Sequence, residues 1–469
     1  MSIRNLSFSK YIRFRSILDL DLSIAYSSDC TSYYWCIPRR YRYKPKWAFH
    51  QKKDTNQQLA LGNFDAFYKP HYGNDWPSIR ISLLSLPKYC AVINKYGKES
   101  QTKLLKKFSL INFTENARLL NEMKTQEMPD SKYARNLAPE PLTNSEPVTE
   151  NLTLESEVVD YDESVHKDNL NIFVPTQQVY TEKEQMLKEE MKLNSFQASD
   201  IGIKVLAPEA VNISADIEAL IFPSGNISLF PHPKSKFGMY GFYLMDAASV
   251  LPVVALDVQP TDHVLDLCAA PGGKTFVMLQ SLDLFHGGKL LCNDSSQSRI
   301  NRLKDVLRSH FPPDIVDQVT VTNFDGLQTF TPVYNKVLVD VPCNGDRYVL
   351  TEEDNNLFQI SRTHERLKLM KTQKQLLISA IKSCAVGGNI VYSTCTLSPA
   401  QNDGVIQAVM EELWQMSHIE VAVVDLTPMT ELFQETFKFH DKTRYGKQVL
   451  PNLLNNFGPT YFAKLKRIK

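Results

Sequence analysis

Two cysteines stand where an apolar run gives way to polar residues, Cys343 in KVLVDVPCNGDR and Cys395 in VYSTCTLSPAQND. A thiol just beyond a buried strand is placed for nucleophilic chemistry, because doubly wound sheets gather ligands outside the carboxyl ends of their strands. Both could instead pack as small hydrophobes or join in a disulfide. A third chemical feature is the loop DLCAAPGGKT. Here Gly272 and Gly273 let backbone approach a ligand closely, and a helix beginning near Lys274 offers unpaired N–H groups to an anion. The loop lacks both the G-x-G-x-x-G and the G-x-x-x-x-G-K-[ST] spacing, which argues against dinucleotides and ATP. Asp294 closes LLCND, Asp325 and Gly326 close NFDG, and Asp340 closes KVLVD. Asp294 can accept both hydroxyls of a ribose, and Asp325 with Gly326 stand where an adenine edge would lie. Any one of these acids could simply cap the next helix. Three at consecutive strand ends around a glycine loop fit an adenosyl ligand with a charged amino-acid tail, for which S-adenosyl-L-methionine (SAM) is the natural candidate.

These residues need a frame that brings them to one edge. From Phe237 the pattern is regular: HVLDLC, KLLCND, VTVTNFDG, KVLVDVPC and GNIVYSTC are short apolar runs, separated by helical segments such as Arg299 to His310 and Arg362 to Ala385. Strands and helices alternating at this length predict right-handed crossovers and an α/β fold with a mostly parallel, doubly wound sheet. YFAKLKR is expected as an antiparallel edge strand, and FYLMDAASVLPVVAL as a buried helix kinked or ended near Pro252.

The motifs DLCAAPGGKT, D-x-P-C from Asp340 to Cys343 and S-T-C-T from Ser393 to Thr396 resemble those of the Sun-domain RNA cytosine-5 methyltransferases. The similarity is greatest to the animal mitochondrial branch that modifies small-subunit ribosomal RNA, since it extends to PRRYRYKPKWA, DWPSIRISLLS and PNLLNNFGPTYF. The resemblance implies a Rossmann-like class I methyltransferase with a seven-stranded sheet and an N-terminal extension. It implies Cys395 as nucleophile on cytosine C6, Cys343 assisting release, and Asp340 against the nitrogen face of the ring. By the same likeness Gly272, Gly273, Lys274, Asp294, Arg299, Asp325, Gly326 and Asp340 line the SAM site. It further implies ribosomal RNA of the mitochondrial small subunit as substrate, an mTERF-type helical-repeat protein as partner and the mitochondrial matrix as location. Most of the family has Ser-Gly after the release cysteine; here the run is PCNGDR, as in the mitochondrial branch, so the likeness leaves the shape of the base pocket open.

Composition agrees with such a partner in one respect. Net charge is zero, but residues 136 to 166 hold eight acids and no Lys or Arg, which leaves the remainder about eight charges positive. Residues 1–37 are basic and serine-rich with no acid before Asp19, a presequence-like composition that a plain basic tail shares. Residues 38–130 form a basic extension with a helical stretch expected from Lys103 to Phe113. Within it, Arg39, Arg40, Arg42, Lys44 and Lys46 alternate with Tyr41, Tyr43 and Trp47, suited to phosphates and stacked bases or to a solvated arm. Residues 131–170 are acidic and proline-bearing, expected as a flexible insert, and 171–469 are expected as the methyltransferase domain. Eight irregularly spaced cysteines suggest neither a disulfide framework nor a zinc site. Cys268, Cys292 and Cys384 read as packed residues, Cys384 in register with Leu377 and Ile381 on a helix face; Cys30, Cys36 and Cys90 show no context. No apolar run is long enough to span a bilayer. Two rivals remain beside the RNA enzyme: a DNA cytosine-5 methyltransferase, which would use Cys343 as nucleophile, and an assembly factor that keeps the fold with methylation dispensable.

Overall fold

Continuous apolar strands can be satisfied only between two layers of helices, and the chain builds that arrangement around KVLVD, whose Val337, Leu338 and Val339 are wholly buried. The computed structural model describes residues 55–97, 110–126, 202–222, 238–328, 330–415 and 418–469. The presequence-like segment, the Arg39 to Trp47 arm, the acidic insert, Cys30 and Cys36 lie outside them, as does most of the stretch from Lys103; the described helix there begins at Phe113.

Apart from the short helices Pro313–Gln318 and Thr427–Leu432 and the 3-10 turns, the described elements in chain order are α1 (Asn56–Tyr72), α2 (Trp76–Leu84), β1 (Cys90–Ile93), β2 (Ile111–Asn112), α3 (Phe113–Gln126), β3 (Val205–Leu206), β4 (Ala219–Ile221) and β5 (Phe242–Met245). Then come α4 (Leu251–Leu256), β6 (His263–Asp266), α5 (Gly273–Ser281), β7 (Lys289–Asn293), α6 (Gln297–His310), β8 (Thr320–Thr322) and β9 (Tyr334–Asp340). The chain continues through α7 (Asp346–Thr351), α8 (Thr363–Ser383), β10 (Cys384–Thr394), α9 (Asp403–Gln415), β11 (Val421–Val424), β12 (Lys438–Phe439), β13 (Lys447–Leu450) and β14 (Thr460–Arg467).

The main sheet has ten strands: seven run in the order β8-β7-β6-β9-β10-β14-β11, β3 adds beyond β11, and β13 with β12 extends it past the other end of β14. The first five are mutually parallel and β14 runs antiparallel to both its neighbours. The strand order therefore reverses between β6 and β9, and a crevice opens at their carboxyl ends. β9 and β10 are adjacent, with Ser393 opposite Asp340, so the segments bearing Cys343 and Cys395 leave the sheet side by side. A smaller sheet, β2-β4-β1-β5, joins strands from both sides of the acidic segment.

Two expected elements differ. YFAKLKR is antiparallel but not an edge: β14 pairs with β10 on one side and with β11 and β13 on the other, and all of its residues from Thr460 to Leu465 are buried. FYLMDAASVLPVVAL is not one helix. FYLM is β5, Asp246 caps a short 3-10 turn, and Pro252 sits in the first turn of α4, where its missing N–H costs nothing and its fixed φ favours the helix. Cys384 is the first residue of β10, just past α8, and is buried.

The N-terminal helices pack on the side of the molecule that carries the two cysteine segments. Ala60, Phe64, Tyr68 and Tyr72 recur every fourth residue on one buried face of α1, which is capped at Thr55 by a reciprocal bond with Gln58. That face packs with Trp76 and Ile79 of α2 against Val349 and Leu350 of α7, Phe358 and Leu397. Arg347 fastens the contact. Its guanidinium donates to the carbonyls of Ser82, Ser85 and Gly458 and to Asn456 Oδ1, at 2.8 to 3.3 Å.

Candidate active site

The crevice brings the two cysteines together. Cys343 Sγ and Cys395 Sγ are 3.2 Å apart, and the Cys395 N–H donates to Cys343 Sγ at 3.3 Å. Both are free thiols, which rules out the disulfide in this structure, and Cys395 is the one exposed cysteine among the described residues. Its hydrogen bond with Cys395, together with burial, raises the Cys343 thiol well above its ordinary value. Cys343 therefore keeps its proton at neutral pH and can donate it to a thiolate on Cys395. Burial likewise pushes up the thiols of Cys90, Cys268, Cys292 and Cys384. Cys268, read as packed, instead lies half-buried on a cavity wall.

That cavity, about 240 Å³, opens at the end of β6 and is lined by the Ala269 to Lys274 loop apart from Gly272, with Asp266, Asp340, Tyr243 and Met245. Lys274 Nζ donates to Asp340 Oδ2 at 2.7 Å, and Ser393 Oγ donates to Asp340 Oδ1 at 2.7 Å. Burial opposes a charge on Lys274, but Asp340 outweighs it and holds the ammonium above its ordinary pKa, with the neighbouring Cys395 sulfur acting in the same direction. The ion pair thus links the cavity to the thiols.

Gly272, at φ 111°, occupies a conformation that glycine supplies, and a Cβ there would stand 2.8 Å from Leu303 Cδ1. It turns the chain into α5. Asp294 is buried, accepts the Ser296 N–H at 3.0 Å and pairs with Arg299 at 3.3 Å, while Arg299 also donates to the Ala270 carbonyl. Asp325 is exposed and accepts the Leu327 N–H at 3.1 Å, a turn-capping role, and Gly326 packs so closely on Leu376 and Leu267 that a Cβ would meet Leu376 at 2.9 Å. Gly273, Lys274 and Asp340 are on the cavity wall; Gly272, Asp294, Arg299, Asp325 and Gly326 are not, although Arg299 ties Asp294 to the Ala270 carbonyl on that wall.

Asp266 carried a signal that sequence reasoning passed over, as the last residue of the strand leading into the glycine loop. It lines the cavity, accepts from Thr275 Oγ1 at 2.7 Å through one oxygen, and leaves its other, Oδ1, with no hydrogen bond. Asp294 Oδ2 is also buried without a hydrogen bond, but Arg299 pairs with it at 3.3 Å. The unpartnered Asp266 oxygen suits a ligand that brings a hydroxyl or ammonium donor, as SAM does.

Burial pushes both Asp266 and Asp346 up to about 7, from an ordinary value near 4. Between about pH 4 and 7 the folded chain then holds protons that the unfolded chain has lost. Their contribution is present below the ordinary value and is lost as pH rises through about 7. The difference in urea midpoint between wild type and Asp346→Asn is therefore expected to change from pH 5 to pH 8, with wild type losing the more stability as pH rises. A difference constant across that range would contradict the assignment.

A family model described as 16S rRNA methyltransferase RsmB/F matches residues 253–466. The 5-cytosine rRNA methyltransferase NSUN4 of Mus musculus is 38% identical over 439 residues, which is 92% of this chain and 94% of that protein. The Caenorhabditis elegans protein of the same description is 32% identical over 463 residues, covering 91% and 96%. Among solved structures, a methyltransferase homologue from Pyrococcus horikoshii covers 88% of this chain and 98% of its own, at 18% identity and a TM-score of 0.47. A chain that matches such relatives over nine-tenths of its length at more than 30% identity belongs to their family, the Sun-domain, RsmB/F-type RNA cytosine-5 methyltransferases that depend on SAM.

Proposed function

We propose that this protein methylates C5 of a cytosine in mitochondrial small-subunit ribosomal RNA through a covalent bond from Cys395 to C6, and so contributes to mitoribosome assembly. The observation that carries the reading is the pair of sulfurs 3.2 Å apart beside the Lys274–Asp340 ion pair. Its relatives are described as rRNA cytosine-5 methyltransferases, and another, 38% identical over 48% of this chain, as a mitochondrial tRNA methyltransferase.

Each residue has a defined task. Cytosine C5 is a weak nucleophile, so the Cys395 thiolate adds to C6 and moves the C5–C6 electron pair onto C5. Asp340 holds the nitrogen edge of the ring and keeps Lys274 charged. When bound, SAM supplies the electrophilic methyl that the enriched C5 takes up; Gly273 and Lys274 with Asp266, Asp294 and Arg299 would hold it. Loss of the C5 proton then returns its electron pair to the C5–C6 bond as the C6–S bond breaks, and Cys343 assists that departure. Because C6 is unreachable inside a duplex, the target base is single-stranded or flipped out.

An mTERF-type helical-repeat partner and the mitochondrial matrix complete the reading. They rest on the family branch and, for location, on the basic N-terminal segment. Bisulfite sequencing of mitochondrial rRNA with and without the protein is the test. One methylated cytosine is expected to disappear from the small-subunit rRNA, and an unchanged map rejects the enzymatic assignment. If mitoribosome assembly persists in a Cys395→Ala strain while that mark is lost, the scaffold role stands apart from the chemistry.

A further inference from the structure

The Asp346-Arg347 pair after the release cysteine has no place in the chemistry above, yet its geometry ties the two cysteine loops together. Asp346 is wholly buried. Its Oδ1 accepts from Thr396 Oγ1 at 2.9 Å and its Oδ2 accepts the Leu397 N–H at 2.7 Å, so one carboxylate grips the two residues that follow Cys395. The Asp346 N–H also points to the Cys395 carbonyl at 3.4 Å. From α1, the Tyr68 hydroxyl lies 3.2 Å from Thr396 Oγ1 and the Tyr72 hydroxyl donates to the Leu397 carbonyl at 2.6 Å. Asn402 Nδ2 donates to the Thr396 carbonyl at 3.0 Å, and the Ser398 N–H donates to Thr396 Oγ1 at 3.1 Å. In the run from Thr394 to Ser398 every residue but Cys395 is buried. The thiol is thus the exposed tip of a turn whose polar groups are held by fixed partners.

We propose that Asp346 is a positioning residue that sets the distance between Cys343 and Cys395, and that Tyr68 and Tyr72 of the N-terminal helix α1 complete this brace. The loop from Cys343 to Asp346 meets the turn from Cys395 to Leu397 at two places, sulfur against sulfur and carboxylate against hydroxyl and amide. Releasing the second contact frees the first. Above about pH 7 Asp346 is ionised, and a hydrogen bond to a charged group outweighs a neutral one, so there Asp346 is the stronger member and the tyrosines the weaker. The inference rests on the reading of these two cysteines as a catalytic pair, and it makes the helices before β1 a working part of the centre.

Diamide, which takes two electrons and two protons from a thiol pair, reports the spacing directly through the rate at which Cys343 and Cys395 form a disulfide, read by mass spectrometry. The Asp346→Asn enzyme is expected to form it at least about tenfold more slowly than wild type, and Tyr68→Phe about threefold more slowly. Thr396→Val is expected to match Asp346→Asn, with Thr396→Ser restoring the wild-type rate. In methylation assays kcat is expected to fall in the same order while KM for SAM stays within about twofold, since the cavity is untouched. A cooperatively folded Asp346→Asn enzyme that oxidises at the wild-type rate overturns the proposal. Should that variant not fold, equal rates for Thr396→Val and Thr396→Ser overturn it instead. The disulfide readout needs neither RNA nor SAM, so a wild-type protein that fails to methylate refutes the proposed function and leaves this result standing.

Discussion

Replacing Cys395 by Ala is expected to lower methyl transfer by on the order of 10⁴-fold or more, the scale on which loss of a covalent nucleophile is felt. No other group is placed to add to C6. Cys343, the nearest thiol, loses the bond to Cys395 in this variant but is still raised by burial, and burial also raises the remaining described cysteines. SAM binding should be unchanged, because Cys395 is not on the cavity wall. Cys343→Ala is expected to behave in the opposite sense. It keeps the nucleophile and loses the group that helps it leave, so a denaturant-resistant enzyme–RNA complex should accumulate. RNA carrying 5-fluorocytosine distinguishes the two, because fluorine cannot leave as a proton does and the adduct is trapped on whichever cysteine attacked. Trapping on Cys395 is the expected outcome. Trapping on Cys343 would reverse the roles and point to the arrangement of a DNA cytosine-5 methyltransferase.

The sequence showed most of what positions these groups because the signals were local. Apolar runs ending in Asp294, Asp340 and Cys395 mark strand ends by period and punctuation alone, and the glycine loop marks where β6 hands over to α5. What stayed hidden depends on contacts across long stretches of chain. β14 resembles an edge strand because YFAKLKR ends in cations, yet Lys464 is buried against Glu209, more than 250 residues earlier. Pro252 reads as a helix breaker unless the helix is known to begin only at Leu251, after a strand and a 3-10 turn. Asp325 and Gly326 follow a strand as Asp294 and Asp340 do, but one caps its own turn and the other packs under α8. Asp346 is the plainest case. Next to PCNG it looks like a loop acid, and its meaning comes from Thr396, Leu397 and a tyrosine 278 positions away in the N-terminal extension.

The second large effect is expected at Asp340, where neutralising one carboxylate disturbs both substrates. In Asp340→Asn the Ser393 contact can survive, but Lys274, largely buried with its side chain 15% exposed, loses the charge that offsets its desolvation. Its pKa then falls, and whatever positive charge remains lies uncompensated in the cavity. SAM carries a positive sulfonium, whereas S-adenosylhomocysteine carries a neutral thioether of the same shape. Binding of SAM should therefore weaken more than binding of S-adenosylhomocysteine, and titration calorimetry of both ligands measures the difference directly. Turnover is expected to drop further still, by on the order of 10²- to 10³-fold, because the contact that holds the nitrogen edge of the cytosine in place for addition to C6 is disturbed at the same time. A purely structural role for Asp340 predicts equal weakening for the two ligands. Equal weakening, or turnover within about threefold of wild type, would show that the Lys274–Asp340 pair serves the fold of the β6 loop and not the reaction.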